Sequence, residues 1–317
     1  MKIISWNILA NEFITQSDYP MIKSKILFNR NERLKNIIKM LLKVNADVML
    51  LQEVMEKEFK ALMRLFALNY TIVRGKNINW YNKPSASCNV TLLRKTQFKV
   101  LQVYDLEFGV YLTALSNANE VIEIINVHLN DESHLDRISQ IKSIEEVLYK
   151  SNKVILGGDF NQVYMPRSQL YKMMAKAGLM PTIHDPTYYI EKKMCIDNLM
   201  LKGFQLDNSC PLKKNELNCC IINKKNKTKK NKPIKNKPIK NKSIKNKSIK
   251  NKPIKNKPIK NKPIKNKTRN ASCVVNKYKN QVENQFNAYG SDHMLIIANV
   301  MGANASEAGL GANASEA

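Results

Sequence analysis

The sequence is short of several things, and each shortage narrows what the chain can be. It has 6 cysteines in 317 residues, and no two form a Cys-x-x-Cys pair. Cys210 with the adjacent Cys219 and Cys220 could offer thiolates to zinc, but no His or Cys stands at finger spacing from them, and free thiols are the simpler reading. Sparse, unpaired cysteine points to a reducing compartment. No apolar run approaches the ~18 residues that a membrane span requires. The chain opens directly on the strand-like "MKIISWNIL", without the basic, apolar and cleavage regions of a secretory leader. The expectation is a soluble, intracellular monomer with no membrane partner.

One acid-free stretch is also dense in lysine. Residues 223–269 carry 20 Lys, 1 Arg and no Asp or Glu. The whole chain has 52 basic and 26 acidic residues; without those 21 basic residues, 31 stand against 26, a net of +5. Most of the formal charge of +26 therefore belongs to one segment, and the rest of the chain is only mildly basic. Residues 231–265 are seven pentapeptides, "NKPIK" five times and "NKSIK" twice. A five-residue period suits neither helix nor strand, Pro recurs, and a lone Ile per repeat cannot build a core at that charge density. Residues 211–280 are expected to be a disordered basic insertion. Its lysines, such as Lys232, Lys235, Lys237 and Lys240, could grip a polyanion, or the repeat could be neutral expansion of AT-rich codons. The small, polar, self-repeating end, residues 302–317, is expected to be a disordered tail. That leaves 1–210 and 281–301 as one domain.

Within it, short apolar runs alternate with helical spacing. "KIISWNIL", "DVMLLQEV", "YTIVRG", "NVTLLRK", "FKVLQVYDL", "VYLTALS", "VIEIINVHL", "KVILGGDF", "IDNLMLKG" and "HMLIIANV" read as strands. Leu34, Ile37, Ile38, Leu41 and Leu42 mark one helix. Leu135, Ile138, Ile141, Ile144 and Leu148 mark another, with Ser133 as its N-cap. Weaker helical patterns cover 56–68 and 167–178. Several strands are apolar on both faces, so both faces should be buried. The fold class expected is α/β: two stacked sheets with helices outside.

Polar residues stand at the ends of these runs: Asn7 in "SWNIL", Glu53 in "LLQEV", His128 in "NVHLN", Asp159 and Asn161 in "GGDFN", Asp197 in "CIDNLML", and Asp292 and His293 in "GSDHMLI". An isolated buried carboxylate is costly, so such a set makes sense if the strand ends converge on a metal and a phosphate. The motifs "SWNILA", "LLQEV", "NVHL", "GGDFN", "IDNLML" and "GSDH", in that order, resemble the endonuclease/exonuclease/phosphatase superfamily. The opening, with Tyr19, Arg30 or Arg33, and Glu53, is most similar to its deadenylase branch of carbon-catabolite-repression, nocturnin and angel type.

That resemblance implies a four-layer α/β sandwich, a magnesium or manganese cofactor and hydrolysis of phosphoric esters. It implies a nuclease acting on single-stranded RNA. A DNA endonuclease or repair phosphodiesterase, a phosphatase of small phosphoesters or phosphoinositides, and a binding protein that has lost activity remain alternatives. By the resemblance Glu53, the Asn7 carbonyl oxygen and Asp292 are at the metal. Asp159 handles the attacking water, Asn161 and His128 hold the phosphate, and Asp197 supports His293. Arg137 and Gln140 are expected to be structural, and His134 and His184 to lie at the surface. Arg94 and Tyr111 are weak candidates for substrate contact.

Overall fold

The structure, a computed structural model, describes residues 1–20, 22–80, 83–182, 187–188, 194–206 and 290–302. The expected insertion at 211–280, its lysines Lys232, Lys235, Lys237 and Lys240, His184, and the tail from 303 onward lie outside the described residues.

Each of the ten apolar runs is a strand. They are β1 (Lys2–Asn7), β2 (Val48–Met55), β3 (Tyr70–Trp80), β4 (Lys83–Arg94), β5 (Phe98–Leu106), β6 (Gly109–Ser116), β7 (Val121–His128), β8 (Val154–Asp159), β10 (Asp197–Lys202) and β12 (Ile296–Gly302). Two more, β9 (Met180–Pro181) and β11 (Phe204–Leu206), are too short to show a period in the sequence. The helices are α1 (Ser24–Leu27), α2 (Arg30–Val44), α3 (Glu56–Phe66), α4 (His134–Ser143), α5 (Glu145–Lys150) and α6 (Gln169–Lys176). Ser133 caps α4 as expected, its hydroxyl accepting from the Asp136 N–H at 3.1 Å. The apolar stripe through Leu148 is not one helix: it breaks at Ile144, which leaves helical backbone, and continues as α5.

The strands form two six-stranded sheets, in the orders β11-β12-β1-β2-β4-β3 and β5-β6-β7-β8-β10-β9. Each sheet has one parallel pair, β1 with β2 and β7 with β8; every other pairing is antiparallel. The parallel pairs need helical crossovers, supplied by α2 and by α4–α5. Inward faces of both sheets share one core, including Ile3, Leu50, Leu112, Ile124, Ile155, Leu199 and Ala298. A second core lies between the first sheet and α2–α3, through Ile37, Leu41, Met49, Leu51, Leu62 and Phe66. A third lies between the second sheet and α4–α6, through Ile141, Leu148, Leu156, Leu170 and Met174. The result is the four-layer α/β sandwich that the strand pattern allowed.

A fourth, smaller cluster joins Leu9, Ile14, Tyr19, Ile22 and Leu27. It organises the long connection from β1 to α2, a stretch whose sequence shows no periodicity.

Candidate active site

Topology brings the polar strand ends together. In a parallel pair both strands finish at the same edge, so Asn7 at the end of β1 lies near Glu53 at the end of β2, and His128 at the end of β7 lies beside Asp159 at the end of β8. Antiparallel neighbours begin where those strands end. Asp197, the first residue of β10, pairs with Asp159, and the segment leading into β12 carries Asp292 and His293 to the end of β1. Asn7, Glu53, His128, Asp159, Asp197, Asp292 and His293 are all buried.

Local irregularities aim two of them. The β2–β4 register slips between Leu51 and Val54, a bulge. Glu53 within it has a φ of 58°, the left-handed region that a non-glycine residue enters at a cost of roughly 1–3 kcal/mol. The bulge puts Val54 into the same helix-side core as Leu51 and frees Glu53 for the strand end. Asn161, with a φ of 45°, turns the chain after β8. The glycines before Asp159 serve packing. A Cβ on Gly157 would come within 2.6 Å of Leu50 on the opposite sheet, and one on Gly158 within 1.8 Å of the Val127 carbonyl on the adjacent strand.

The hydrogen bonds define who holds whom. The Asn7 amide donates to Glu53 Oε1 at 2.6 Å and to Asp159 Oδ2 at 3.1 Å, while its own oxygen accepts from the Leu9 N–H at 2.9 Å. The Ala10 N–H donates to Glu53 Oε2 at 2.6 Å. The Asn161 N–H donates to Asp159 Oδ1 at 2.8 Å, and the Asn161 amide donates to the Leu129 carbonyl at 2.9 Å. His293 Nδ1 meets Asp197 Oδ2 at 2.8 Å, and Asp197 is fixed in turn because its N–H donates to the Thr187 hydroxyl at 3.0 Å. Asp159 Oδ2 lies 3.8 Å from His128 Nε2 and 3.7 Å from His293 Nδ1.

Electrostatics follow from burial. Desolvation raises the Glu53 carboxyl to about 7, against partial relief from His293, Asn7 and Ala10. Burial alone would lower His293, but Asp197, Asp292 and Asp159 outweigh it and hold the imidazole well above its ordinary value. Burial lowers His128, with Asp159 opposing. One site therefore contains an imidazolium-prone histidine and one that favours the neutral ring.

Oxygen-rich, buried and acidic, the set suits a hard divalent cation. A bound cation would favour the ionised form of Glu53 that burial disfavours. Asp159, Asp197 and His293 offer ligand atoms within 4.8 Å of one another and could hold a metal.

A family of known proteins, the Endonuclease/Exonuclease/phosphatase family, matches residues 4–177. The chain belongs to that family. Its members hydrolyse phosphoric esters, and the chain is an enzyme of that class. Solved structures with the same fold include ANGEL2, described as a 2′,3′-cyclic phosphatase, at 17% identity and a TM-score of 0.54 over 65% of this chain and 84% of that one. The human Nocturnin catalytic domain with bound sulfate matches at 14% identity and a TM-score of 0.52, over 65% and 84%. A functionally unknown conserved protein from Enterococcus faecalis matches at 16% and 0.51, over 65% and 89%. ANGEL2 and Nocturnin are of the type that the opening motifs resemble. No curated protein sequence matches the chain.

Other residues singled out in the sequence lie partly beside this endonuclease/exonuclease/phosphatase site and partly away from it. Arg137 donates to the carbonyls of Asn130 and Asp131, and Gln140 accepts from the Asn130 N–H, so both pin the loop after β7. His134 is exposed and bonded to Gln162. Arg94 pairs with Asp47 at 2.8 Å, at the end of the first sheet away from Glu53. Tyr111 donates to Glu123 at 2.9 Å on the outer sheet face. Sequence reasoning assigned no role to Ser291, Trp6 or Thr187. The Ser291 hydroxyl donates to the Asn7 backbone carbonyl at 2.8 Å, and the Trp6 indole N–H to the His293 backbone carbonyl at 3.1 Å. Trp6 and Ser291 are signalled only by lying inside the motifs "SWNILA" and "GSDH"; Thr187, ten residues before Asp197, carries no signal in the sequence.

Proposed function

We propose that the chain is a divalent-metal-dependent phosphodiesterase of nucleic acid, acting as an exonuclease on single-stranded RNA. The observation that carries this reading is the convergence of Asn7, Glu53, His128, Asp159, Asn161, Asp197, Asp292 and His293 at one edge of the two sheets. Glu53 and Asp292 would hold the cation, magnesium or manganese. Such an ion, when bound, screens phosphate charge and polarises the phosphoryl oxygen. Asn7, expected at the metal through its side-chain oxygen, also holds the Glu53 and Asp159 carboxylates side by side through its amide; that oxygen accepts one N–H, from Leu9, and has a second lone pair for the cation.

Asp159, oriented by the Asn7 amide and the Asn161 N–H, takes the proton from the attacking water. Asn161 uses one amide N–H on Leu129 and keeps a second for a phosphoryl oxygen. The His293 imidazolium, held by Asp197, and His128 face the charge that develops on phosphorus-bound oxygens. The branch supports RNA: the opening motifs, and the solved structures of ANGEL2 and Nocturnin, share one type. The lysine-rich 211–280 segment lies in sequence between Asp197 and Asp292, and its charge suits a polyanionic substrate.

A second reading shares the same machinery: hydrolysis of a 2′,3′-cyclic phosphate at an RNA end, the group named for ANGEL2. One gel separates them. Single-stranded RNA labelled at its 5′ end is offered with either an adenosine tract ending in a 3′-hydroxyl or a 2′,3′-cyclic phosphate. Each is incubated with magnesium or EDTA, beside Asp159→Ala. A magnesium-dependent ladder from the 3′ end supports the exonuclease. Loss of the cyclic phosphate alone supports the second reading. Cleavage of neither RNA, with hydrolysis of small phosphomonoesters, would overturn both.

A further inference from the structure

We infer that Tyr19 is a positioning residue for the cation site, carried in by the β1–α2 connection to fix the carboxylate of Asp292. The inference rests on the reading of Asp292 as a cation ligand.

The Tyr19 hydroxyl donates to Asp292 Oδ2 at 3.2 Å, across 273 residues of sequence. The ring that carries it is buried, 5% exposed, within the cluster of Leu9, Ile14, Ile22 and Leu27. Backbone there is tied as well: the Gln16 side-chain amide donates to the carbonyls of Tyr19 at 2.9 Å and Ile22 at 3.0 Å. The connection is thus a small packed unit with a phenol aimed at the site.

The segment bearing Asp292 is held from the same side. Arg33, in the first turns of α2, donates through Nε to the Gly290 carbonyl at 2.7 Å and through Nη2 to the carbonyls of Ile8 and Leu9. One guanidinium therefore staples the residues after β1 to the residues before Asp292. Gly290 permits this closeness: its φ is 77°, and a Cβ there would stand 2.6 Å from the Arg33 carbonyl oxygen. Arg33 fixes backbone, and Tyr19 reaches the carboxylate. The other carboxylate oxygen, Oδ1, lies 3.9 Å from His293 Nε2.

A hydroxyl suits this task. A neutral donor orients a carboxylate without bringing a positive charge that would compete with the cation. Partners of this kind behind a metal ligand are typically worth ~10–100-fold in metal affinity. The β1–α2 connection is then part of the site.

The test compares the full chain with Tyr19→Phe and Asp292→Asn. Manganese and magnesium binding is measured by titration calorimetry, below the metal-free melting temperature of all three. Tyr19→Phe keeps the ring in its cluster and removes only the donor. The expected result is a cation Kd raised ~10–100-fold, with hydrolysis of bis(p-nitrophenyl) phosphate recovering at high metal. An unchanged Kd overturns the inference, whatever happens to the melting temperature, because packing alone would move only the latter. If Asp292→Asn weakens binding while Tyr19→Phe does not, the inference falls and the reading of Asp292 stands. If Asp292→Asn binds the cation as tightly as the unaltered chain, both fall.

Discussion

At the residue scale, the site depends on carboxylates held in place by neutral donors. Asp159 receives the Asn7 amide and the Asn161 N–H, and lies under 4 Å from both His128 and His293. Removing a placed acid or base typically costs ~10²–10⁴-fold in rate. Asp159→Ala and His293→Ala should each lose at least that lower bound in kcat, measured on the RNA above at saturating magnesium. Glu53 makes a separate prediction. Its folded carboxyl sits at about 7, above an ordinary value of 4.5, so the fold prefers the protonated form. Its contribution is complete below about 4.5 and is lost as pH rises through about 7. In EDTA, the melting temperature of the unaltered chain should fall across that window relative to Glu53→Gln. Parallel pH profiles of the two proteins would refute the assignment. Excess magnesium should stabilise the unaltered chain more at pH 7.5 than at pH 5, because the cation binds the ionised form.

At the element scale, the strand ends were legible and their aim was not. "VILGGDFNQV" reads as a buried strand because its apolar run is unbroken, and β8 is buried along its length. The need for two glycines could not be assigned to a neighbour, because the contact atoms come from Leu50 and Val127, distant in sequence. Gly158→Ala would drive a Cβ into the Val127 carbonyl and force β8 away from β7 beside His128 and Asp159. A backbone obstacle cannot rotate away as a side chain can. The variant should therefore melt at a clearly lower temperature and lose activity. Gly157→Ala should be milder, since its closest neighbour is the flexible end of Leu50. Equal losses in the two variants would contradict this account. The bulge at Glu53 was likewise invisible in "LLQEV", since a register slip exists only relative to the partner strand β4.

At the scale of the whole molecule, two similar halves stack back to back, each with one parallel pair whose ends face the site. No helix among the described residues is long and apolar enough to cross a membrane. The two sheets close without residues 211–280, since β11 ends at Leu206 and the segment from Gly290 returns to β12. We therefore expect deletion of 211–280, with a short Gly/Ser join, to leave hydrolysis of a short oligonucleotide unchanged. Binding of a long single strand should weaken. Its log–log salt slope should flatten by roughly 0.7 for each phosphate that the deleted lysines had neutralised. Failure to hydrolyse the short substrate would show that the segment belongs to the catalytic fold. An unchanged salt slope would remove it from nucleic-acid binding.

The sequence by itself determined the strands, the main helices and the identity of the polar residues at their ends. Those follow from local rules: an apolar run must be buried, a 3.6-residue stripe must face a core, and a charged group interrupting such a run needs a partner. Tertiary structure alone decided what each polar atom does. That the Asn7 oxygen serves Leu9, that Arg33 staples Gly290 to the residues after β1, and that Tyr19 reaches Asp292 depend on sheet register and on the path of one long connection. Hydrogen bonds act over about 3 Å between groups up to hundreds of residues apart, and no local pattern encodes that distance.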